Sequence, residues 1–156
     1  MAQRNKQMDQ PKDAVAMLKA DHQRVRDLFQ QYEATSNVEA RWTIAEKVFT
    51  ELETHAQLEE NIFYPAVNEE TDEGPELVKE SLAEHETMKN LIQKLRGMGP
   101  HSQGFDAAFR ELLQNVEHHV EEEESEMFPL AEEELEEDMK DLGDEMQELK
   151  AQILAS

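Results

Sequence analysis

The chain has 156 residues, of which 38% are apolar and 33% are charged. Apolar residues are fewer and charged residues more frequent than in an average globular domain, which favours an elongated helical bundle over a β-sheet protein. With 15 basic and 37 acidic residues, the formal net charge of −22 argues against binding to nucleic acids or anionic membranes.

Several other classes of protein are excluded by what the sequence lacks. The absence of cysteine excludes disulfides, thiolate zinc sites and cysteine-ligated iron–sulfur clusters. No apolar run reaches the ~18 residues of a transmembrane helix. Residues 1–12 lack the apolar segment of a secretory signal. We therefore expect a cytoplasmic protein, with residues 1–10 as a flexible tail and residues 11–156 as a single domain.

Two helices are predicted in the first half of the chain. Apolar residues alternate at steps of three and four over residues 15–32, with His22 at one of the inward positions. Residues 35–37 break this helix. A second helix is predicted over residues 39–68, and Pro65 is expected to kink or end it. Its inward positions are Ala45, Val48, Leu52, His55, Glu59, Ile62 and Ala66.

Three more helices are predicted in the second half. The third helix has the inward positions Val78, Leu82, His85, Met88, Ile92 and Leu95. A Gly-Met-Gly-Pro segment ends it. The fourth helix begins near Phe105 and carries His119 and Glu123 on its inward face, and apolar residues along 130–153 indicate a fifth helix. The prediction is an all-α, up-down-up-down four-helix bundle with an additional C-terminal helix.

The two halves of the chain repeat one pattern of histidine and glutamate. In the first half a histidine is followed 33 residues later by a second histidine and, four residues after that, by a glutamate. In the second half the two histidines are 34 residues apart, and the glutamate again follows four residues later. In both halves a proline lies ten residues after the second histidine. A spacing of four puts both side chains on one helix face. The repeated residues are His22, His55 and Glu59, then His85, His119 and Glu123.

These six residues on inward faces predict a buried metal site. A lone inward histidine is usually a core residue, but that explanation would have to hold four times, and glutamate is rarely buried without a partner. Imidazole and carboxylate without thiolate suit iron, manganese or zinc. Six ligands are too many for one structural zinc ion. Two ions bridged by Glu59 and Glu123 would each have four protein donors, and a bridging oxygen would leave a sixth position for a small molecule.

The pattern resembles that of the hemerythrin-like HHE cation-binding domain family over about residues 13–130. The resemblance implies two iron ions (Fe2+/Fe3+) with a bridging oxo or hydroxo group, and O2, NO or peroxide as the small-molecule partner. An electron donor is a further expected partner. The ligands it implies are the terminal histidines His22, His55, His85 and His119 and the bridging carboxylates Glu59 and Glu123.

Two departures from the oxygen-carrying hemerythrins leave the function open. Those proteins have a second histidine four residues after the one on the third helix, where this chain has Lys89. They end with a His-x-x-x-x-Asp pair, where this chain has His119 and Glu123. The set of four histidines and two glutamates is closer to the di-iron proteins that repair iron–sulfur clusters. Three functions are compatible with the sequence: a gas-binding or sensing protein, an enzyme that reduces peroxide, O2 or NO, and an iron-handling protein that stores or delivers iron or repairs iron–sulfur clusters.

Neighbouring residues are predicted to lie outside the ligand set. His118 points about 100° away from His119 on a helix, so it is expected to face solvent or to contact a ligand from outside. His101 lies in a loop and is expected to take no part in the site. Tyr32 and Tyr64 are expected to pack in the core rather than to donate hydrogen bonds at the site. Glu84 and Glu122 are candidate partners for the N–H groups of ligand histidines, but exposed acid is the expectation for both. Met88 and Met127 are candidates to line a small apolar pocket, but ordinary core is the expectation.

Overall fold

The computed structural model describes residues 13–156, which are almost entirely helical. The helices are α1 (Ala14–Ala34), α2 (Val38–Leu58), α3 (Tyr64–Glu70), α4 (Gly74–Met98), α5 (Phe105–Glu122), α6 (Phe128–Glu134) and α7 (Met139–Ala155). Two π-helical turns, Glu59–Phe63 and Glu123–Met127, join α2 to α3 and α5 to α6, and a 3₁₀ turn, Glu136–Asp138, precedes α7. The predicted flexible tail, residues 1–10, lies outside the described residues.

Four long helical segments form the bundle, and they are α1, α2 with α3, α4, and α5 with α6. The fifth, α7, packs on α1, on α2 and on the first π turn. The predicted all-α bundle with an additional C-terminal helix is therefore confirmed. Within residues 13–156, no helix is both long enough and apolar enough to cross a membrane.

Local sequence sets the ends of several helices. The Asp13 carboxylate accepts the Ala16 N–H at 2.8 Å and caps the start of α1. The Asn37 side chain accepts the Ala40 N–H at 2.9 Å and caps α2 in the same way. At the other end of α4, Gly99 has a φ of +79°, a left-handed conformation that glycine adopts without the steric cost of a Cβ atom.

The helix that carries Pro65 does not end there, because a π turn precedes the proline. Proline has no N–H and its ring crowds the carbonyl group four residues earlier. In the widened turn the Tyr64 N–H reaches back five residues to the Glu59 carbonyl oxygen. The second copy does the same, since the Phe128 N–H donates to the Glu123 carbonyl oxygen. Each bridging glutamate predicted from sequence therefore begins a π turn.

The π turn also corrects two predicted core positions. Ile62 and Ala66, the inward residues expected from steps of three and four, are only partly buried. Phe63 and Val67 are fully buried in their place. A π turn contains one residue more than an α turn, so the inward positions shift by one residue beyond Glu59.

One further core position was wrong. Leu82 was expected on the inward face of α4, but 43% of its surface is exposed. Ser81 occupies the inward position and is only 4% exposed. Ser81 continues the three–four spacing between Val78 and His85 as well as Leu82 does, and the apolar character of Leu82 favoured the wrong alternative.

The bundle core consists of two apolar clusters with a polar layer between them. One cluster surrounds Leu18, Phe63 and Phe128, near the start of α1 and α7. The other surrounds Phe49 and Phe109 toward the opposite end of the bundle. His22 lies between these clusters along α1, and the other histidines and glutamates of the repeated pattern lie at the same level.

Gly143 is required where α7 crosses the start of α1. A Cβ atom at this position would lie 2.9 Å from the Asp13 carbonyl carbon and 3.0 Å from the Ala14 nitrogen. Backbone atoms cannot move aside as a flexible side chain can. We therefore expect Gly143→Ala to lower the free energy of unfolding by about 1–3 kcal/mol, the usual cost of overpacking.

Gly97 provides the matched control, because it also lies in a helix but has no atom within 4 Å of an added Cβ. Gly97→Ala should raise the free energy of unfolding by about 0.5–1 kcal/mol, since alanine is the better helix residue. Chemical denaturation of both variants tests the pair. If Gly143→Ala is as stable as Gly97→Ala, α7 does not dock on α1 as described.

Candidate metal centre

The structure brings all six residues of the repeated pattern together in one buried layer. Each bundle segment contributes at the same height, and none of the six residues is more than 6% exposed. The two long segments that contain π turns contribute a histidine and a glutamate each, and α1 and α4 contribute one histidine each. The residues are His22, His55, Glu59, His85, His119 and Glu123.

Two histidines and two carboxylate oxygens form a first half-site. The Nε2 atoms of His22 and His55 are 3.2 Å apart. The His22 Nε2 atom lies 3.2 Å from Glu123 Oε1, and the His55 Nε2 atom lies 3.3 Å from Glu59 Oε2. All four donor atoms therefore point at one small volume.

The second half-site uses the other oxygen of each glutamate. The Nε2 atoms of His85 and His119 are 3.1 Å apart. Glu59 Oε1 lies 3.0 Å from His85 Nε2, and Glu123 Oε2 lies 3.3 Å from His119 Nε2. Each carboxylate thus has one oxygen in each half-site, which is the arrangement that a bridge between two metal ions requires.

The donor spacing and the unpaired oxygens both fit metal ions. Ligand atoms that bind one ion at about 2.1 Å lie about 3.0–3.4 Å apart when they subtend angles of about 90–110°. The donor separations of 3.0–3.3 Å match this value. Within residues 13–156, Glu59 Oε2 and Glu123 Oε1 accept no hydrogen bond although both are buried. Such oxygens are costly unless a cation binds them.

The outward nitrogen of every one of these histidines contacts a carboxylate. The Nδ1 atoms lie 2.7–2.9 Å from a carboxylate oxygen in all four cases. A proton on Nδ1 fixes the ring orientation and leaves the Nε2 lone pair facing inward, as metal-ligating histidines require. The pairs are His22 with Glu124, His55 with Asp21, His85 with Glu60 and His119 with Glu84.

Three of these outer carboxylates were not predicted from the sequence, and the fourth, Glu84, was expected to be exposed acid. Their signal was present, because Asp21 and Glu84 each directly precede a single histidine of the repeat. Glu60 and Glu124 each directly follow a glutamate of the repeat. The duplication therefore contains ten residues rather than six. The same expectation was made for Glu122, whose carboxylate pairs with the exposed His118 at 3.1 Å and not with a buried histidine.

Tyr64 lies at the site, against the expectation that it serves only core packing. Its hydroxyl group donates to Glu123 Oε2 at 2.5 Å and is 3.1 Å from Glu59 Oε1. The same oxygen lies 3.2 Å from His85 Nε2 and 3.3 Å from His119 Nε2. Tyr64 therefore contacts all four donors of the second half-site.

Within residues 13–156, no hydroxyl group takes the corresponding place at the first half-site. Phe128 stands 64 residues after Tyr64 and occupies the corresponding place in the repeat. Its ring stacks on His22 with centroids 5.6 Å apart. The two half-sites therefore differ by one oxygen atom.

The remaining neighbours lie where the sequence placed them. His118 is 65% exposed, and His101 is exposed in its loop and contacts Glu39. Tyr32 lies away from the site and donates to Asp106 at 3.0 Å. Met127 and Met88 both belong to the apolar core, and Met88 also borders a cavity beside the histidines.

This cavity has a volume of about 30 Å³ and lies directly against the four imidazole rings. One water molecule needs at least about 10–15 Å³ on this measure. The cavity therefore accommodates a molecule of two or three heavy atoms at most. Its apolar wall consists of Val25, Leu52, Met88, Ile92, Val116 and Val120.

The pKa directions show that the buried carboxylates require positive charge. Burial alone would lower the pKa of His55, but the carboxylates of Glu59 and Asp21 outweigh it and raise the pKa to about 10. Burial would raise the pKa of Glu59, but the charge on His55 and further hydrogen bonds hold it well below its usual value. The pKa values of His85 and His119 are also raised, because neighbouring carboxylates outweigh burial, so protons on these three imidazoles supply charge in the metal-free protein and metal ions must displace them.

The bridging carboxylates can be tested by substitution. Glu59→Ala and Glu123→Ala each remove an oxygen from both half-sites, so we expect each variant to lose both metal ions. His101→Ala serves as control, since His101 contacts only the exposed Glu39. Metal analysis after identical purification gives the measurement. Full metal content in both glutamate variants would contradict the bridging arrangement.

A second prediction concerns pH. The raised pKa of His55 stabilises the metal-free protein fully below the unfolded-state pKa of about 6.5, and this contribution is lost as pH rises toward about 10. Metal-loaded protein needs no proton on Nε2. The difference in melting temperature between metal-loaded and metal-free protein should therefore widen from about pH 6.5 to about pH 9. Calorimetry of both forms tests this, and a constant difference would contradict it.

Comparison with known proteins agrees with this geometry. The sequence profile of the hemerythrin HHE cation-binding domain matches residues 13–131. Similar proteins include one named a DNA nickase from Nostoc sp., 28% identical over 72% of this chain and 31% of that protein. A hemerythrin-like protein from Schizosaccharomyces pombe is 25% identical over 76% of this chain and 59% of that one. This chain thus spans about a third of the length of the Nostoc protein and about three-fifths of the length of the Schizosaccharomyces pombe protein.

A solved structure has the same fold. It is a hemerythrin HHE cation-binding domain-containing protein from Mycobacterium kansasii, with a TM-score of 0.77 and 23% sequence identity. The similarity covers 92% of this chain and 90% of the other. With the profile match over most of its length and the buried cluster of histidine and glutamate, the chain belongs to the hemerythrin HHE cation-binding domain family.

Proposed function

We propose that this protein holds two iron ions in the buried layer and that the centre reacts with O2, NO or peroxide. The observation that carries the proposal is the cavity of about 30 Å³ against four imidazole rings of a site with two carboxylate bridges. The cavity is too small for an organic substrate. When bound, the iron pair supplies one-electron redox steps and coordination positions at which a small molecule can be held.

The donor set supports iron over a structural zinc ion. Each half-site offers two imidazole nitrogens and two carboxylate oxygens, and the two are joined by Glu59 and Glu123. Nitrogen and oxygen donors without thiolate suit iron or manganese, and two joined sites suit redox chemistry better than a closed four-ligand zinc site. Bundle cores commonly hold paired iron ions between carboxylates.

Tyr64 supplies a proton donor at the second half-site, although its side chain does not border the cavity. Burial and the charges of Glu59 and Glu123 raise the pKa of the Tyr64 phenol well above its usual value, so it stays protonated. This hydroxyl group is a proton donor in direct contact with the second half-site. At the first half-site Phe128 stands in the corresponding place and offers no proton.

Iron storage or delivery is the second candidate, and the acidic surface favours it. The net charge of −22 raises the local concentration of cations around the protein. The same charge opposes binding to DNA. We therefore do not extend the activity in the name of the Nostoc relative to this chain, which matches only 31% of that protein.

The experiment exposes anaerobically reduced, iron-loaded protein in turn to O2, NO and hydrogen peroxide and records optical spectra by stopped flow. We expect O2 and peroxide to oxidise the iron and NO to give a distinct adduct. An unchanged spectrum with all three reagents would refute reaction at the centre, and iron storage or delivery would then be the better function.

A substitution in the wall of the cavity tests whether the small molecule uses this space. Val25→Leu adds one carbon to the wall of a cavity of about 30 Å³, so it should slow the reactions severalfold while both iron ions stay bound. Val48→Leu makes the same change at a buried position that does not border the cavity. Both variants should cost a similar amount of stability, about 1–3 kcal/mol. Equal reaction rates in the two variants would show that the small molecule does not reach the centre through this cavity.

A further inference from the structure

Three of the four outer carboxylates are matched by a basic side chain. Asp21 contacts Arg24 and also Lys150, whose Nζ atom is 3.2 Å away. Two analogous pairs are formed by Glu60 with Lys89 at 3.1 Å and by Glu124 with Arg26 at 3.8 Å. A fixed positive charge therefore lies outside the hydrogen bond between each of these carboxylates and its histidine.

Glu84, the fourth outer carboxylate, has different neighbours. Within residues 13–156 no lysine or arginine lies within ion-pair distance of it, and its ion-pair partners are His119 and His118. Its Oε1 atom contacts His119 Nδ1 at 2.7 Å, and its Oε2 atom faces outward, 3.4 Å from His118 Nε2. Glu122 Oε1 lies 3.1 Å from the same His118 nitrogen. A second carboxylate thus stands where the other three positions have a cation.

The three side chains have the composition of a metal-binding site. His118 and Glu122 repeat the His-x-x-x-Glu spacing of the buried pair, one residue earlier on α5. Together with Glu84 from α4, their ligand atoms all lie within 4.8 Å of one another. The corresponding residues in the first half of the repeat, Thr54 and Leu58, carry neither imidazole nor carboxylate. This feature therefore belongs to one half of the molecule alone.

We propose that Glu84, His118 and Glu122 form a surface site for a divalent first-row transition metal ion, directly outside the buried centre. One imidazole nitrogen and two carboxylate oxygens favour such an ion over calcium or magnesium, which prefer oxygen alone. The ion supplies the positive charge that Arg24, Lys89 and Arg26 supply at the other three positions. Water completes its coordination, because His118 is open to solvent.

The test counts bound Zn2+ by equilibrium dialysis against metal-loaded protein at physiological salt. We expect the wild-type chain to retain one zinc ion beyond those of the buried centre. His118→Ala and Glu122→Gln should each lose that ion. His101→Ala should retain it, because His101 is an equally exposed imidazole that contacts one carboxylate, that of Glu39, at 2.8 Å.

The difference between wild type and His118→Ala is the readout, and it does not depend on which ions fill the buried centre or on any reaction there. Failure of the proposed redox function would therefore leave this result intact. If wild type retains no additional zinc ion, the site does not exist. If His118→Ala and Glu122→Gln retain as much zinc as His101→Ala, the acidic surface binds the zinc in general and the proposed site is refuted.

Discussion

The burial of two carboxylates side by side in the core of a small bundle is the constraint on which the structure depends. Glu59 and Glu123 are almost fully buried, and two of their oxygens accept no hydrogen bond within residues 13–156. Such a pair is tolerable only when positive charge is placed against it, from protonated imidazoles or from metal ions. The four histidines, the carboxylates outside them and the apolar clusters above and below all follow from that requirement.

Much of this could be predicted from the sequence, because helical period and internal duplication both leave plain signals. The six inward residues were identifiable since polar residues at regular core positions conflict with burial unless they share a function. The shift from Ile62 to Phe63 was not identifiable, because the hydrogen-bond pattern of a π turn does not alter the spacing of residue types. Nor was Ser81, since two helical spacings competed and the apolar Leu82 was favoured.

The two halves of the chain differ at Tyr64, and this difference is informative about the site. The two copies agree at histidine, glutamate and proline, but one has Tyr64 where the other has Phe128. Taken alone, either aromatic residue is an ordinary core residue. Only the structure shows that this position contacts the donor atoms, so that one hydroxyl group makes two otherwise equivalent half-sites chemically distinct. The Tyr64 hydroxyl group therefore lies against the second half-site and not against the first.

Lys89 stands where oxygen-carrying hemerythrins have a further histidine, and its role is not simply that of a lost ligand. Its ammonium group contacts Glu60, which in turn contacts Nδ1 of His85. Arg26 occupies the same place four residues after His22 and faces Glu124. The basic residue is thus part of the duplicated design, in which it stabilises the carboxylate that orients a histidine. In this chain the position therefore acts through Glu60 on His85, and the Lys89 side chain also borders the cavity.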